Sequence, residues 1–282
     1  MSHNKSLAGY GLKYNPFLQG IPNEDLWVPP AADAFIFRLE SIVRTGGFAM
    51  ITGDSGLGKS KMLQLVSSTL QQKGDVIVGV MERPQSSLGD FYRELGELFG
   101  VNLSAANRYG GFKALRQKWQ AHIASTLYKP ILLIDEAQEM HTQCLSEIRL
   151  LGSVNFDSDC LLTTVLCGDS RLSERLRDVE LLPIGTRIRS RLILEPLTPN
   201  DLADMLEHLL RASGAPHLMT DELKNTIVDH CAGNPRILMN QAAELLDHAI
   251  QNKRSQLDEK LFFDTFSIVT RNKNNKKKKP TP

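Results

Sequence analysis

Apolar residues along the chain follow two alternating patterns, which predict alternating strands and helices. Some apolar residues form short continuous runs, which are typical of buried strands. The predicted strands are residues 46–52, 75–80, 130–134 and 161–168. Between these runs, apolar side chains recur at the spacing of an amphipathic helix, as in residues 112–123. Strands and helices in this alternation indicate an α/β fold with a parallel sheet.

The pattern changes close to residue 200, after which only helical spacing occurs. Asn200 and Thr220 precede two of these helices and are predicted N-caps, and Pro235 opens a third helix. The predicted parts are an N-terminal segment with the first helix at residues 1–45, an α/β core at 46–198, a small helical lid at 199–270 and a basic tail at 271–282.

A glycine-rich stretch, ITGDSGLGKS at residues 51–60, connects the first predicted strand to a helix. Its spacing is G-x-x-x-x-G-K-[ST], in which glycines let backbone N–H groups surround a phosphate at a helix N-terminus. In this motif Lys59 bridges the β- and γ-phosphates, and the Ser60 hydroxyl ligates Mg²⁺. An incidental glycine-rich turn would not need the strand before it and the helix after it. The predicted nucleotide-binding residues are Gly53, Asp54, Ser55, Gly56, Leu57, Gly58, Lys59, Ser60 and Lys61.

Two acidic residues follow the third predicted strand, in the segment PILLIDEAQEM. An apolar strand that ends in two acids is the Walker B pattern. In that pattern Asp135 holds Mg²⁺, and Glu136 orients or activates the attacking water. Alone, the pair could be a solvated strand end. Together with the glycine-rich loop, it predicts an ATPase that uses ATP and Mg²⁺.

Polar residues farther along the chain are candidates for further contacts to the nucleotide. Asp169 ends the fourth predicted strand, where it could act as a sensor that holds the lytic water or could cap the next helix. Arg187, Arg189 and Arg191 alternate along an extended segment, which puts them on one face. There one of them could act as an arginine finger on the γ-phosphate bound to a neighbouring subunit. Alternatively, they are surface charges that pair with acidic residues of the same chain. Arg236, at the start of a lid helix, could reach back to the nucleotide.

Composition restricts the other classes of protein. The chain is 41% hydrophobic and 23% charged, as globular proteins are, and has no apolar run long enough for a membrane helix or a signal peptide. Its four cysteines are scattered without a C-x-x-C pair, which favours reduced buried thiols over disulfides or a zinc site. We therefore expect a cytoplasmic protein.

Charge is distributed unevenly along the chain. The tail at residues 271–282 has one Arg, five Lys and no acid, which gives it a charge of +6. Because the net charge of the whole chain is +1, residues 1–270 have a net charge of −5. Such a lysine block is predicted to be disordered. It either binds nucleic acid by neutralising phosphates or only solubilises the end of the chain.

These motifs in this order resemble the AAA+ ATPases. The resemblance rests on the glycine-rich loop, LLIDEAQEM, the strand that ends at Asp169, RIRSRLILEPLTPND and AGNPR, and it covers about residues 10–270. Within that class, the sequence resembles the branch of ExeA-type secretion ATPases and of TniB, TnsC and MuB type regulators of DNA transposition. The stretch GYGLKYNPF near the N-terminus adds to the ExeA-like resemblance.

The resemblance implies a fold and several residue roles. It implies a P-loop AAA+ domain with a five-stranded parallel sheet in the order 5-1-4-3-2, an α-helical lid, and ATP bound between subunits of a homo-oligomer. Arg236 then corresponds to sensor 2, and one of the three alternating arginines corresponds to the finger. Asp169 departs from the Asn, Thr or Gln that is commoner at sensor 1.

A DNA-binding region is also implied by the resemblance. In transposition ATPases the region equivalent to SAANRYGGFKALRQKW lines a central channel, which makes it a candidate DNA-tracking loop. The alternative is an ordinary surface helix with basic residues. The predicted DNA-binding residues are Arg108, Tyr109, Lys113, Arg116 and Lys118.

Three roles remain open from the sequence. In the first, ATP-bound protomers assemble on double-stranded DNA as a ring or filament, recruit a transposase and regulate transposition. The second is an ExeA-like secretion accessory ATPase, and the third is a helicase loader or replication initiator. Secretion ATPases of this branch typically continue into a membrane span and a cell-wall-binding domain, which this sequence lacks, and no appended helix-turn-helix is evident. We therefore expect the first role.

Overall fold

The computed structural model describes residues 7–82, 84, 87–102, 107–156 and 158–266. The chain divides into two compact units. Residues 28–195 form one of them, called here the α/β unit. The residues before 28 and after 195 form the other, the helical unit. The predicted basic tail at residues 271–282 lies outside the described residues.

The α/β unit is built on a five-stranded parallel sheet with the order β2-β3-β6-β1-β7. Its strands are β1 (Gly47–Gly53), β2 (Val78–Met81), β3 (Ile131–Ile134), β6 (Thr163–Gly168) and β7 (Ile188–Leu194). A short antiparallel hairpin, β4 (Ser153–Val154) and β5 (Asp159–Cys160), precedes β6. With the hairpin left out of the numbering, this is the order 5-1-4-3-2, so the predicted fold class is confirmed.

Helices cover both faces of this sheet. They are α1 (Pro30–Thr45), α2 (Lys59–Gln71), α3 (Leu88–Phe99), α4 (Arg108–Thr126), α5 (Thr142–Gly152), α6 (Ser170–Arg175) and α7 (Leu182–Gly185), with a 3₁₀ turn at Ala137–Glu139. Leu132 packs in one apolar cluster with Trp119 of α4, whereas its neighbour Leu133 packs in another with Leu39 of α1 and Leu63 of α2. Burial on both faces explains why the strands are continuous apolar runs.

The helical unit has its own apolar core. Its helices are α8 (Pro199–Ala212), α9 (Asp221–His230) and α10 (Pro235–Gln251), and residues 259–266 are also helical. Leu206, Leu223 and Leu246 are fully buried in this core. Among the described residues of the chain, no helix is long and apolar enough to cross a membrane.

The N-terminal segment packs with the helical unit. Leu7, Leu12, Phe17 and Ile21 are buried in the same cluster as the helices of that unit. The backbone N–H of Lys13 donates to the Ser213 carbonyl at 2.9 Å. The structure thus divides the chain differently from the sequence, which grouped residues 1–45. Residues 7–27 join the helices that follow residue 196, and α1 covers the sheet.

One of the two predicted helix caps has to be corrected. Thr220 accepts a hydrogen bond from the N–H of Leu223 and caps α9, as predicted. Asn200 does not cap α8, because it lies inside the helix. The cap is Thr198, which forms a capping box with Asp201. Pro199 sits at the first helical position and favours an extended residue before it, which is the backbone conformation of a cap.

The cysteines agree with the expectation of reduced, buried thiols. None of the four is part of a disulfide bond, and Cys144, Cys167 and Cys231 are buried, whereas Cys160 is half-buried. Burial raises the pKa of Cys144 to about 11 and that of Cys231 to about 12. These thiols are therefore protonated at neutral pH and behave as small apolar side chains.

Candidate functional site

The glycine-rich loop connects β1 to α2 at the carboxyl end of a strand inside the sheet. Gly56 and Gly58 have φ angles of 89° and 92°. Side chains disfavour this left-handed region, so the turn requires glycine at both positions. Gly58 is the N-cap residue of α2 and, as a glycine, has no side chain with which to accept the first N–H groups. The N-terminal N–H groups of α2 therefore present a positive helix end that suits an anion.

Lys59 is a buried cation at the start of α2. Only 8% of its surface is exposed. Its Nζ atom donates a hydrogen bond to the Asp54 carbonyl oxygen at 3.1 Å, and this neutral oxygen is its hydrogen-bond acceptor among the described residues. Because a buried charge is costly unless it is compensated, an anionic ligand at this loop would stabilise Lys59.

The remaining residues of the predicted phosphate site occupy the same loop and the first turn of α2. Asp54, Ser55 and Ser60 are exposed, Leu57 is buried, and Gly53 and Lys61 are half-buried. The Nζ atom of Lys61 donates to the Gln64 side chain at 3.2 Å. The hydroxyl of Ser60 is thus on the surface directly beside the buried Lys59.

The two predicted Walker B acids lie at the end of β3. The N–H of Asp135 continues the sheet by donating to the Met81 carbonyl at 3.0 Å. One carboxylate oxygen of Asp135 accepts the N–H of Glu136 at 2.9 Å. Glu136 has a φ of 49° and is exposed. Its backbone leaves the extended conformation at this point, so the chain turns immediately after the sheet.

Strand order brings the loop and the acids to one edge of the sheet. Strand β6 pairs with β1 on one side and with β3 on the other. Thr52 is level with Gly168, and Ile134 is level with Leu166. Parallel strands end at the same edge, so the phosphate loop, the two acids and Asp169 come together there.

Asp169 caps α6 in this structure. Its carboxylate accepts the N–H of Arg171 at 3.0 Å and also binds the Arg171 guanidinium. These hydrogen bonds are the largest cause of the lowered pKa of Asp169, and the charge of Lys59 is a smaller one. The helix-capping alternative is therefore what the side chain does here. The sensor role of Asp169 stays a prediction.

Gln138, which no sequence motif indicates, lies between these groups. It is buried, with 6% of its surface exposed. Its carboxamide contacts both the Glu136 carboxylate and the backbone N–H of Asp169. A glutamine two residues after an acid has no particular meaning in a sequence pattern. Only the turn after β3 and the neighbouring end of β6 show its position.

Comparison with known protein families agrees with this geometry. A family model described as an AAA domain matches residues 43–176. The matched segment contains the glycine-rich loop, both Walker B acids and Asp169.

Other proteins resemble the chain more broadly. General secretion pathway protein A of Aeromonas hydrophila is 25% identical over 197 residues, which are 68% of this chain and 35% of that protein. The chain thus matches about a third of the length of this relative. The fold is similar to that of the Aeropyrum pernix ORC2 protein in its ADP form, with a TM-score of 0.69 and 15% identity over 91% of this chain and 73% of that chain.

The Aeropyrum pernix ORC1 protein in complex with DNA is also similar, with a TM-score of 0.66 and 16% identity over 93% of this chain and 70% of that chain. At these identities the two structures establish the fold alone. The chain thus shares the fold of these structures, whereas its place among the AAA+ ATPases and in the transposition branch stays a prediction.

The three alternating arginines follow the segment that the AAA family model matches, and they lie on and beside the edge strand β7. Arg189 and Arg191 are exposed, and the register between β7 and β1 shifts at Arg189. Each arginine donates to a carbonyl of its own chain: Arg187 to Pro183, Arg189 to Gly46 and Arg191 to Gly185. These acceptors are neutral, so the guanidinium charges are not cancelled by them. Which arginine acts as a finger stays a prediction.

Arg236 lies in the first turn of α10 in the helical unit. Asn234 caps this helix by accepting the N–H groups of Arg236 and Ile237, and Pro235 occupies the first helical position. The Arg236 side chain is exposed. Its predicted sensor 2 role depends on how it approaches a nucleotide and stays a prediction.

The predicted DNA-binding residues fall into two groups on α4. Arg108 forms an ion pair with the buried Glu147, and Arg116 donates to the Leu151 carbonyl at 3.1 Å. These two arginines therefore fasten α4 to α5. Tyr109, Lys113 and Lys118 are exposed. Residues 104–106 of the predicted DNA-tracking loop lie outside the described residues.

Proposed function

We propose that this protein binds and hydrolyses ATP with Mg²⁺. The observation that carries this proposal is the meeting of three features at one edge of the sheet: the phosphate loop with its buried Lys59, the acids Asp135 and Glu136, and the end of β6. A buried lysine, a helix N-terminus and two carboxylates are groups that phosphoryl-transfer sites use.

The residues present fit a magnesium nucleotide. Glycines at positions 56 and 58 leave room for phosphate oxygens to approach the backbone, and Lys59 supplies a positive charge for the β- and γ-phosphates. Oxygen ligands suit Mg²⁺, and Ser60 and Asp135 supply a hydroxyl and a carboxylate. Bound Mg²⁺ neutralises charge on the phosphate oxygens. Glu136 is exposed beside this set, where its carboxylate can accept a proton from the attacking water.

The two proposed roles are separable by mutation. Lys59→Ala should abolish nucleotide binding, because it removes the cation that faces the phosphates. Glu136→Gln should leave binding intact and reduce hydrolysis by about 100-fold or more, because an amide is not a base. Lys260→Ala, at an exposed lysine of the helical unit, is the matched control and should change neither. An unchanged hydrolysis rate in Glu136→Gln contradicts the role of Glu136.

We further propose that the hydrolysis cycle controls assembly on double-stranded DNA, in a regulator of DNA transposition that recruits a transposase. Support comes from the sequence resemblance, from the exposed Tyr109, Lys113 and Lys118 on one helix, and from the fold shared with a protein whose structure contains DNA. Phosphate contacts by lysine give affinity without sequence preference, as the choice of many target sites requires. ATP bound between protomers links nucleotide state to assembly.

A secretion accessory ATPase is the second candidate, and the similarity to General secretion pathway protein A over 197 residues favours it. Sedimentation with a slowly hydrolysed ATP analogue, with and without duplex DNA, distinguishes the two. Assembly that requires both nucleotide and duplex supports the transposition role. Assembly that ignores duplex DNA contradicts that role and supports the secretion role.

A further inference from the structure

Gln138 connects two strand ends at the proposed hydrolysis site. Its Nε2 atom donates to the carboxylate of Glu136 at 2.5 Å. Its Oε1 atom accepts the backbone N–H of Asp169 at 3.2 Å. Glu136 follows β3 and Asp169 follows β6, which are paired strands. One side chain thus joins the proposed base to the end of the neighbouring strand.

The two partners of Gln138 have opposite requirements. A carboxylate only accepts hydrogen bonds, and a backbone N–H only donates one. A carboxamide meets both because it carries a donor and an acceptor on the same rigid plane. A carboxylate at position 138 would repel Glu136, and an alkyl side chain would leave the N–H of Asp169 without this acceptor. The partners therefore fix both the identity and the orientation of the side chain.

The end of β6 is shaped to admit this carboxamide. A Cβ atom built at Gly168 would overlap Oε1 of Gln138 and lie 3.1 Å from the Leu172 side chain. Gly168 does not have a positive φ, so its backbone does not require glycine. The missing side chain provides space for Gln138, and this need explains glycine at the end of a strand whose residues are all buried.

Two arginines of α6 hold the turn that carries Gln138. The guanidinium of Arg175 donates to the Gln138 carbonyl oxygen and to the Thr142 hydroxyl. The guanidinium of Arg171 binds Glu139 at 2.6 Å and Asp169 at 2.7 Å. The 3₁₀ turn after β3 is thus tied to the helix after β6 at both its backbone and its side chains. The backbone that carries the carboxamide is therefore held in place.

We propose that Gln138 is a positioning residue that holds the Glu136 carboxylate in the orientation used for hydrolysis and ties that orientation to the end of β6. This inference rests on the proposed function. Glu136 is exposed, and a glutamate side chain without a tether is spread over several rotamers. Misplacement of a catalytic group by about 1 Å can reduce a rate by about 100-fold. Nucleotide affinity is unaffected, because Gln138 acts on Glu136 rather than on the phosphate loop.

The test uses two independent ways of removing the tether. Gln138→Ala deletes the carboxamide. Gly168→Ala keeps it but displaces it, since the end of a flexible side chain can move away from the new methyl group. Gln143→Ala, at an exposed glutamine of α5, is the matched control. For each variant and for the double variant of Gln138 and Gly168, kcat for ATP, the Kd of a slowly hydrolysed ATP analogue and the thermal midpoint are measured.

We expect both single variants to lower kcat by about 10-fold to 100-fold while Kd stays within about twofold of that of the unmodified chain. The double variant should be no slower than Gln138→Ala, because the effect of the methyl group requires the carboxamide. The inference is overturned if Gln138→Ala has the kcat of the unmodified chain, or if kcat falls and Kd rises by similar factors. It is also overturned if the reductions in kcat from the two substitutions multiply in the double variant. Failure of the proposed function has a different signature: the unmodified chain and Glu136→Gln would then turn over ATP equally.

Discussion

Replacing Phe17 tests whether the N-terminal segment is part of the helical unit. Phe17 is 3% exposed in the apolar cluster of that unit, whereas its neighbour Leu18 is 52% exposed. Truncation of a buried phenylalanine to alanine removes its transfer free energy and leaves a cavity, at a cost of about 3–5 kcal/mol. Leu18→Ala should change the free energy of unfolding by less than about 0.5 kcal/mol. The adjacent pair thus supplies both the perturbation and its control.

The two tryptophans allow each unit to be followed separately. The chain has two, Trp27 against the helical core and Trp119 in the core of the α/β unit. In a Trp119→Phe background, the fluorescence of Trp27 reports unfolding of the helical unit. In a Trp27→Phe background, the fluorescence of Trp119 reports unfolding of the α/β unit. With a urea m-value of about 2 kcal/mol/M, a loss of about 4 kcal/mol lowers a midpoint by about 2 M.

The expected result is specific to one reporter. Phe17→Ala should lower the urea midpoint of Trp27 fluorescence by about 2 M, and Leu18→Ala should lower it by less than about 0.3 M. The reasoning is refuted if the two substitutions have equal effects, or if Phe17→Ala shifts only the Trp119 transition. Either outcome would place the N-terminal segment outside the helical core.

Three further predictions follow from buried groups and caps. Burial raises the pKa of Cys144 to about 11 and of Cys231 to about 12, so at pH 8 both should be unreactive towards an aromatic disulfide reagent until urea unfolds the chain. Glu147→Gln should destabilise the α/β unit by about 1–3 kcal/mol in urea titrations, because it removes the charge that binds Arg108. Thr198→Ala should lower the stability of the helical unit by about 1 kcal/mol, and a null effect would contradict the capping box.

The sequence predicted the parts of the site that are local in the chain. The phosphate-loop motif is eight consecutive residues with fixed spacing, and Asp135 and Glu136 directly follow an apolar strand, so both were recognisable without tertiary information. The sheet order came from the family resemblance rather than from periodicity. The hairpin of β4 and β5 was not predicted, because its two strands have two residues each and show little apolar pattern.

Contacts between distant segments could not be predicted from the sequence. Arg116 and Lys113 are alike in a charge pattern, but Arg116 lies beside the end of α5 and binds its carbonyls, whereas Lys113 is exposed. The sequence shows that Phe17 is apolar, but it does not show which helices bury this side chain. Gln138 is adjacent to the Walker B acids, but its role depends on Gly168, which is 30 positions away.

The proposed DNA binding should depend on salt in a way that follows from the exposed cations of α4. Of the predicted DNA contacts, Arg108 is ion-paired with Glu147 and Arg116 binds carbonyls of α5, so the exposed Lys113 and Lys118 are the cations expected to bind phosphates. Each phosphate neutralised contributes about −0.9 to the slope of log K against log salt, so one protomer contributes about −2. So few contacts give weak binding at physiological salt, and we therefore expect the proposed DNA binding to need several protomers on one duplex.

Nucleotide-dependent assembly and DNA affinity should therefore rise together. The measured slope should grow by about 2 for each protomer added to a duplex of increasing length, with the slowly hydrolysed ATP analogue present. A chain with Lys113→Ala and Lys118→Ala should lose most of this slope while its ATP hydrolysis without DNA is unchanged. Arg116→Ala is a poor probe, since it also removes the contacts between α4 and α5. A steep slope that persists in the double lysine variant would place the DNA contacts on another surface.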